Sequence, residues 1–229
     1  MTLYEAIFAR RSVRQYDKSA LDAAALSEIE DYVGAVKQLP GQTATFEIVD
    51  GTKLKGGIAP YAILAQADDS SAAFVNIGYT LQSVDLWLQS KAYGSVWCGM
   101  AKPQEPKQDY RILLGFGQTS LPLRRGEEDF KRKKLSEISD TDNAIARAVR
   151  VAPSAVNFQP WRLSFADGKV IVTANVRGVG KLLPGRLFLF DIGIALRHVE
   201  VALGQEGHAV TAFEFKGDDR DLTVELTYN

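Results

Sequence analysis

The segment Asn76–Leu88, with the sequence NIGYTLQSVDLWL, is similar to a second segment, Asp191–Leu203, with the sequence DIGIALRHVEVAL. Each segment has apolar residues three and four positions apart, which predicts an amphipathic helix. Each is followed by a glycine, Gly94 or Gly207, and then by a run rich in strand-forming residues. The sequence therefore indicates two related helices, 115 residues apart, that each lead into a strand.

A second pair of segments repeats at nearly the same distance. Phe46–Gly51 (FEIVDG) and Leu163–Gly168 (LSFADG) are 117 residues apart, and both predict a strand that closes on an Asp-Gly turn. Each follows a helical stretch, Asp22–Val36 or Asp142–Val151, and Asp22 is a suitable N-cap. Because the two distances agree within two residues, we predict an internal duplication. The alternative is a domain with two similar hairpin–helix units and no functional meaning.

These repeats divide the chain into a first half at 1–123, a charged connector at 124–140 and a second half at 141–229. The pattern predicts helices at 3–11, 72–91, 141–151 and 189–206, and strands near 44–49, 61–66, 95–98, 110–116, 161–166, 169–175, 209–216 and 221–227. Strands and helices are interspersed, and strand pairs are joined by tight turns, which favours an α+β fold over a doubly wound sheet. Two halves packed like the subunits of a homodimer would build a two-fold site within one chain.

Composition limits the classes of partner and the cellular compartment. The chain has 229 residues, a net charge of −1 and 27 basic against 28 acidic residues, which argues against nucleic-acid or membrane-surface binding. No apolar run approaches the roughly 20 residues of a membrane span, and the start lacks a signal-peptide pattern. A single cysteine excludes an intramolecular disulfide. We therefore expect a cytoplasmic protein, and its few, separated histidines and cysteine predict no metal site.

An arginine-rich string, Arg10-Arg11-Ser12-Val13-Arg14, lies near the start of the chain. Arg10 and Arg14 are one helical turn apart, so their side chains can converge. The planar guanidinium matches phosphate in a bidentate manner, and Ser12 adds a hydroxyl group. The alternative is a basic patch that caps carbonyl groups at a helix end or pairs with acids.

The most distinctive string is Ala152–Trp161, with the sequence APSAVNFQPW. Its proline ends the preceding helix, and the loop can then present Ser154, Asn157 and Gln159. Amide side chains carry both donors and acceptors, as the edge of a planar heterocycle such as a flavin or pterin requires. The alternative is ordinary turn chemistry with Trp161 packed below.

Four segments together resemble the FMN-dependent nitroreductase family. They are RRSVRQY at 10–16, GSVWCG at 94–99, RKKLSE at 132–137 and PSAVNFQPW at 153–161, the last being the most specific. The resemblance spans about residues 3–207 and implies the nitroreductase fold. Family members are typically homodimers in which each FMN takes the Arg-Ser end from one subunit and the Pro-Ser loop from the other.

The order of these segments departs from the family pattern. The usual position of the Pro-Ser loop holds Leu39–Phe46, a weak remnant, and the good copy lies in the second half. The resemblance therefore implies one site between the halves of a monomer that acts as a pseudo-dimer, as in the single-chain TM nitroreductase branch. The partner site should be inactive, because the second half has no Arg-Arg-Ser string.

The resemblance implies a set of residues that bind FMN: Arg10, Arg11, Ser12, Arg14, Cys98, Gly99, Arg132, Lys133, Pro153, Ser154, Ala155, Asn157 and Gln159. Of these, Arg10, Arg14, Arg132 and Lys133 would hold the phosphate. Ser12 and Asn157 would contact the isoalloxazine edge or the ribityl chain, and the Cys98–Gly99 backbone would approach flavin N5. Arg11 could instead form a structural pair, and the basic run at 131–134 could be a solvated linker.

The implied activity is hydride transfer from NADH or NADPH through FMN to nitroaromatic or quinone-type acceptors. The flavin carries the redox chemistry, so no side chain is predicted to be catalytic. Two alternatives remain: a flavin-binding or sensing protein without turnover, and a structural protein that keeps the fold without flavin.

Overall fold

The computed structural model describes residues 1–176, 186–217 and 219–229. Three helices and six strands form the first half of the chain, and their bounds agree with most of the predicted elements. They are α1 (Leu3–Ala9), α2 (Ala23–Ala35), β1 (Thr45–Asp50), β2 (Leu54–Lys55), β3 (Tyr61–Gln66), α3 (Ser71–Ser90), β4 (Tyr93–Cys98), β5 (Lys102–Pro103) and β6 (Tyr110–Gln118).

The remaining helices and strands lie in the connector and the second half. They are α4 (Leu135–Ile138), α5 (Ala144–Arg150), β7 (Trp161–Ala166), β8 (Lys169–Ala174), α6 (Leu187–Gln205), β9 (Val210–Lys216) and β10 (Thr223–Tyr228). Side-chain caps fix where several helices begin, since each accepts a hydrogen bond from an amide in the first turn: Asp22 for α2, Ser70 for α3 and Asn143 for α5.

Two four-stranded antiparallel sheets flank the long helices, which confirms the α+β fold. One sheet has the order β1-β3-β6-β4 and the other the order β7-β8-β10-β9, so each sheet draws its strands from one half only. The helices α3 and α6 pack on each other and on the sheets, and their apolar residues join one core cluster with residues of both halves.

The crossing of α3 and α6 is reciprocal. A methyl group on Gly78 would overlap the backbone carbonyl oxygen of Phe190, and one on Gly193 would overlap that of Val75. Gly78 and Gly193 are 115 residues apart, and so are Val75 and Phe190. The two contacts are therefore related by exchange of the halves, a geometry that supports the proposed duplication.

Local structure differs from the sequence prediction at three places. Helix α1 ends at Ala9 rather than near residue 11, because the chain turns extended at Arg10. Asp50 caps a 3-10 turn at Gly51–Lys53 that leads to β2, so this Asp-Gly turn does not join a strand pair, whereas the Gly168 turn does join β7 to β8. The connector is not a solvated linker throughout, since Phe130 and Ile138 are buried. No helix in the described ranges is long and apolar enough to cross a membrane.

Candidate functional site

A cavity of about 390 Å³ lies between the two halves. Its volume falls in the range of about 300–1,000 Å³ that is usual for small-molecule sites. The described lining residues are Ser12, Arg14, Trp97, Gly99, Met100 and Ile112 from the first half, and Pro153, Ser154, Ala155, Val156, Leu187, Phe190, Asp191 and Ile194 from the second half. Six of the residues predicted from the resemblance thus meet at one cavity: Ser12, Arg14, Gly99, Pro153, Ser154 and Ala155.

Ser12 and Arg14 reach the cavity from an extended segment. Ser12 forms a parallel bridge with Ser95, and the Val13 N–H donates to the Ser95 carbonyl oxygen at 2.9 Å. The predicted convergence of Arg10 and Arg14 on a helical turn is therefore wrong. Alternate residues of an extended chain face the same side, which explains why Ser12 and Arg14 share the cavity.

The Pro-Ser loop has a strained backbone. Val156, Asn157 and Gln159 all have positive φ angles, of 47°, 58° and 51°, and a β-branched residue such as Val156 rarely adopts this conformation. The Ser154 hydroxyl oxygen accepts the Gln159 N–H at 2.9 Å and closes the loop. Strain of this kind persists only where the surroundings over-determine it, and it is common at ligand sites.

Asp191, which the sequence analysis did not select, supports the same loop. Its carboxyl group is 3% exposed and accepts the Ala155 N–H at 3.0 Å through Oδ1 and 3.2 Å through Oδ2. Burial raises the pKa of Asp191 to about 8. The hydrogen bond from Ala155 lowers the pKa, but its effect is weaker. The repeat offered a signal for this residue, because Asp191 occupies the position of Asn76 in the first half.

A cluster of guanidinium groups lies beside the loop. Arg10 is 1% exposed, and its Nε lies 2.7 Å from Asp85 Oδ2 without hydrogen-bond alignment. Arg132 donates to Asn157 Oδ1 at 2.7 Å and to the Val151 carbonyl oxygen at 3.1 Å. Three buried guanidinium nitrogens, Arg10 Nε, Arg10 Nη2 and Arg132 Nε, have no hydrogen-bond partner among the described residues. Unpaired buried donors are costly, so this cluster suits an anionic ligand.

The electrostatics of Arg132 support the same conclusion. Its pKa is lowered to about 10, first by burial and then by the positive charges of Arg10, Arg124 and Arg150. Neighbouring cations repel each other in the absence of an anion, and a phosphate group would relieve that repulsion.

The other predicted residues do not line the cavity. The Arg11 side chain donates to the Pro122 carbonyl oxygen at 2.8 Å, a structural contact. The Cys98 thiol lies 3.6 Å from the Val96 carbonyl oxygen, and burial raises its pKa. Lys133 donates through Nζ to the Gln159 carbonyl oxygen at 3.1 Å, while the Gln159 side chain accepts the Lys133 N–H at 2.9 Å. Lys133 and Gln159 thus brace the loop from outside.

A buried polar network connects Arg10 with the cavity wall. Asp85 accepts hydrogen bonds from Ser95 Oγ at 2.5 Å and from Gln82 Nε2 at 3.1 Å. The Oε1 atom of Gln82 in turn accepts the Trp97 indole N–H at 3.1 Å. Trp97 lines the cavity, so the network fixes both the guanidinium group and one wall.

One cavity-lining position has a buried aromatic counterpart in the other half. Ile194 lines the cavity, and the residue 115 positions earlier, Tyr79, is fully buried. The Tyr79 ring packs edge-on against Phe213 at 5.7 Å and beneath the Arg197 guanidinium carbon at 3.6 Å. The counterpart of Ile194 is therefore an aromatic side chain held in the core rather than part of a cavity wall.

Comparisons with known proteins support this fold over most of the chain. The sequence profile of the family described as "Putative TM nitroreductase" matches residues 2–203. A solved structure described as a putative nitroreductase from Thermotoga maritima is 21% identical, with a TM-score of 0.73, and the alignment covers 99% of this chain and 94% of that one.

A second solved structure is a putative nitroreductase from Desulfovibrio desulfuricans in complex with FMN. It is 16% identical, with a TM-score of 0.48, and the alignment covers 62% of this chain and 98% of that one. A comparison with curated proteins gave no match. Because the family profile covers most of its length, the chain belongs to the putative TM nitroreductase family.

Proposed function

We propose that this chain is an FMN-dependent oxidoreductase with one flavin site formed between its halves. The observation that carries the proposal is a cavity where Ser12 and Arg14 face the Pro153–Val156 loop, beside a buried and a half-buried guanidinium group, Arg10 and Arg132, with unpaired N–H donors. The donor set fits FMN, since the cavity is mostly apolar and the cluster of arginines suits a phosphate. Family membership and the FMN complex of the D. desulfuricans protein support the assignment.

Each part of the site has a separate task in this proposal. Arg10 and Arg132 bind the phosphate, and Ser12 and Arg14 hold the polar edge of the ring system. The Pro153–Val156 loop and Trp97 exclude water from the ring, and Lys133 and Gln159 brace the loop. Bound FMN would supply reversible hydride acceptance and donation. No side-chain base is required at the cavity.

We propose NADH or NADPH as the electron donor and nitroaromatic or quinone-type molecules as acceptors. Met100 and Val156 support access of such molecules, because both line the cavity and are 80% and 81% exposed. We further propose that the protein is a cytoplasmic monomer. The test is anaerobic addition of NADH or NADPH to the FMN-loaded protein. Loss of the flavin absorbance band, and its return with a quinone, is expected. A band that neither donor bleaches would favour flavin binding without turnover.

Arg132→Ala is expected to weaken FMN binding by about 10- to 100-fold, the value of one or two charge-assisted hydrogen bonds to phosphate. The measurement is FMN fluorescence quenching on titration with protein. The matched control is Arg162→Ala, because Arg162 is exposed on β7 and does not line the cavity. Riboflavin, which lacks the phosphate, should bind equally to wild type and Arg132→Ala. An equal loss of FMN affinity in both variants would contradict the phosphate role.

A further inference from the structure

We propose that Asp191 binds the flavin as a neutral carboxylic acid: it anchors the Pro153–Ala155 loop through the Ala155 N–H and donates its own proton in a hydrogen bond to the ligand. This inference rests on the proposed function and adds a binding residue to it. It also predicts that FMN affinity falls as the pH rises.

The contacts of Asp191 leave part of its carboxyl group unused. Both oxygens share a single donor, the Ala155 N–H, although a carboxyl group has about four acceptor positions. Across the described ranges, no side chain donates to Asp191 and no cation lies within ion-pair distance of it. The group is nevertheless 3% exposed and lines the cavity. A buried carboxylate without a counter-ion is costly, so the neutral form is favoured.

In the first half of the chain, a neutral side chain, that of Asn76, holds the related loop. Asn76, which occupies the related position, accepts the Leu39 N–H through Oδ1 at 2.8 Å, just as Asp191 accepts the Ala155 N–H. The second group of its amide, Nδ2, donates to Gln38 Oε1 at 2.8 Å. Asp191 in its protonated form offers the same pair, one acceptor for the loop and one donor. In the second half that donor borders the cavity rather than a glutamine side chain.

Burial, rather than a neighbouring charge, is the main influence on the ionisation of Asp191. Burial raises the pKa of Asp191 to about 8. Arg14 is the charged group that shares the cavity lining. The titratable and charged groups on helix α6 and on the helices and strands packed against it are Tyr4, Glu5, Tyr79, Asp85, Arg147, Arg150, Arg162, Lys169, Arg197, His198 and Glu200.

Most of these groups have partners of their own. Asp85 pairs with Arg10, Glu200 pairs with Arg197 and Lys37, and Lys169 pairs with Glu225. Burial lowers the pKa of His198 to about 3, so its ring is neutral at physiological pH. The change of charge expected near pH 8 at the cavity wall therefore belongs to Asp191.

The experiment measures the FMN dissociation constant of wild type and Asp191→Asn at pH 7, 8 and 9, by flavin fluorescence. The phosphate of FMN has a second pKa near 6 and is already about 90% dianionic at pH 7, so its titration contributes little in this range. Wild type is expected to bind about tenfold more weakly at pH 9 than at pH 7, because one proton is lost through a pKa of about 8. Asp191→Asn keeps both an acceptor and a donor, and its affinity should match wild type at pH 7 and change less than twofold with pH.

A second readout needs no flavin. The pKa of Asp191 is higher in the folded chain than in the unfolded one, so the folded state binds more protons between about pH 4 and 8. The stability contributed by this group is therefore present at low pH and is lost as the pH rises through that range. Asp191→Asn should melt at a higher temperature than wild type at pH 8, and the difference should disappear near pH 4.

The outcomes separate this inference from the proposed function. If wild type retains FMN with the same affinity from pH 7 to 9, or if Asp191→Asn follows the wild-type profile, the inference is wrong and the flavin function stands. A variant that binds at least tenfold more weakly at pH 7 also overturns it. If neither protein binds FMN, both fail. Should the variant not fold, the wild-type profile alone decides.

Discussion

Gly193→Ala is expected to destabilise the folded chain by more than about 3 kcal/mol, or to prevent folding. The added methyl group would overlap the carbonyl oxygen of Val75 on the opposing helix. Backbone atoms at a helix crossing cannot turn away as a side chain can, so α3 and α6 would have to separate. Separation would open the core on which both sheets depend.

The measurement is urea unfolding followed by circular dichroism. Gly204→Ala on the same helix is the matched control, because nothing lies within 4 Å of a methyl group there. That variant should gain about 0.5–1 kcal/mol from the better helix propensity of alanine. Equal changes in the two variants would contradict the close crossing, and with it the reciprocal packing of the halves.

Asp85→Ala is expected to lower the free energy of unfolding by about 3–5 kcal/mol. The substitution leaves the Arg10 guanidinium group, 1% exposed, without its buried counter-ion. It also removes the acceptor of Ser95 Oγ and of Gln82 Nε2. The loss should be visible as a lower urea midpoint in the same unfolding assay.

A double variant separates the structural and binding roles of Arg10. Arg10→Met combined with Asp85→Leu replaces the ion pair by apolar side chains and should recover most of the lost stability. It should still bind FMN about 10- to 100-fold more weakly than wild type, because the unpaired guanidinium donors of Arg10 are gone. A double variant that binds FMN as tightly as wild type would refute a phosphate role for Arg10.

Most helices and strands were predicted well from the sequence, because the hydrophobic periodicity is strong and N-capping residues can be recognised. Asp22 begins α2 as expected, and the two long helices lie within two residues of their predicted bounds. The prediction was wrong where the local sequence pattern does not determine where an element ends. Nothing in the Arg10–Arg14 string shows that the helix ends at Ala9, because that end depends on the tertiary pairing of Ser12 with Ser95.

The candidate site was predictable only in part, for a related reason. A string such as Pro153–Ala155 shows which residues lie near one another in the chain, and it does not show what packs beneath them. Asp191 and Trp97 reach the cavity through the packing of a helix and a strand distant in sequence. The repeat does relate Asp191 to Asn76, and the side chains of both residues accept a hydrogen bond from a loop N–H.

The decisive measurement is the absorbance spectrum of purified protein that has been loaded with FMN and then desalted. The second half has no Arg-Arg-Ser string, and Tyr79, the counterpart of Ile194, is fully buried, so we expect one flavin per chain. We expect a flavin band that corresponds to about one FMN per chain, on a particle with the mass of a monomer. A protein that retains no flavin would contradict the proposed function, and two FMN per chain would contradict the single site between the halves.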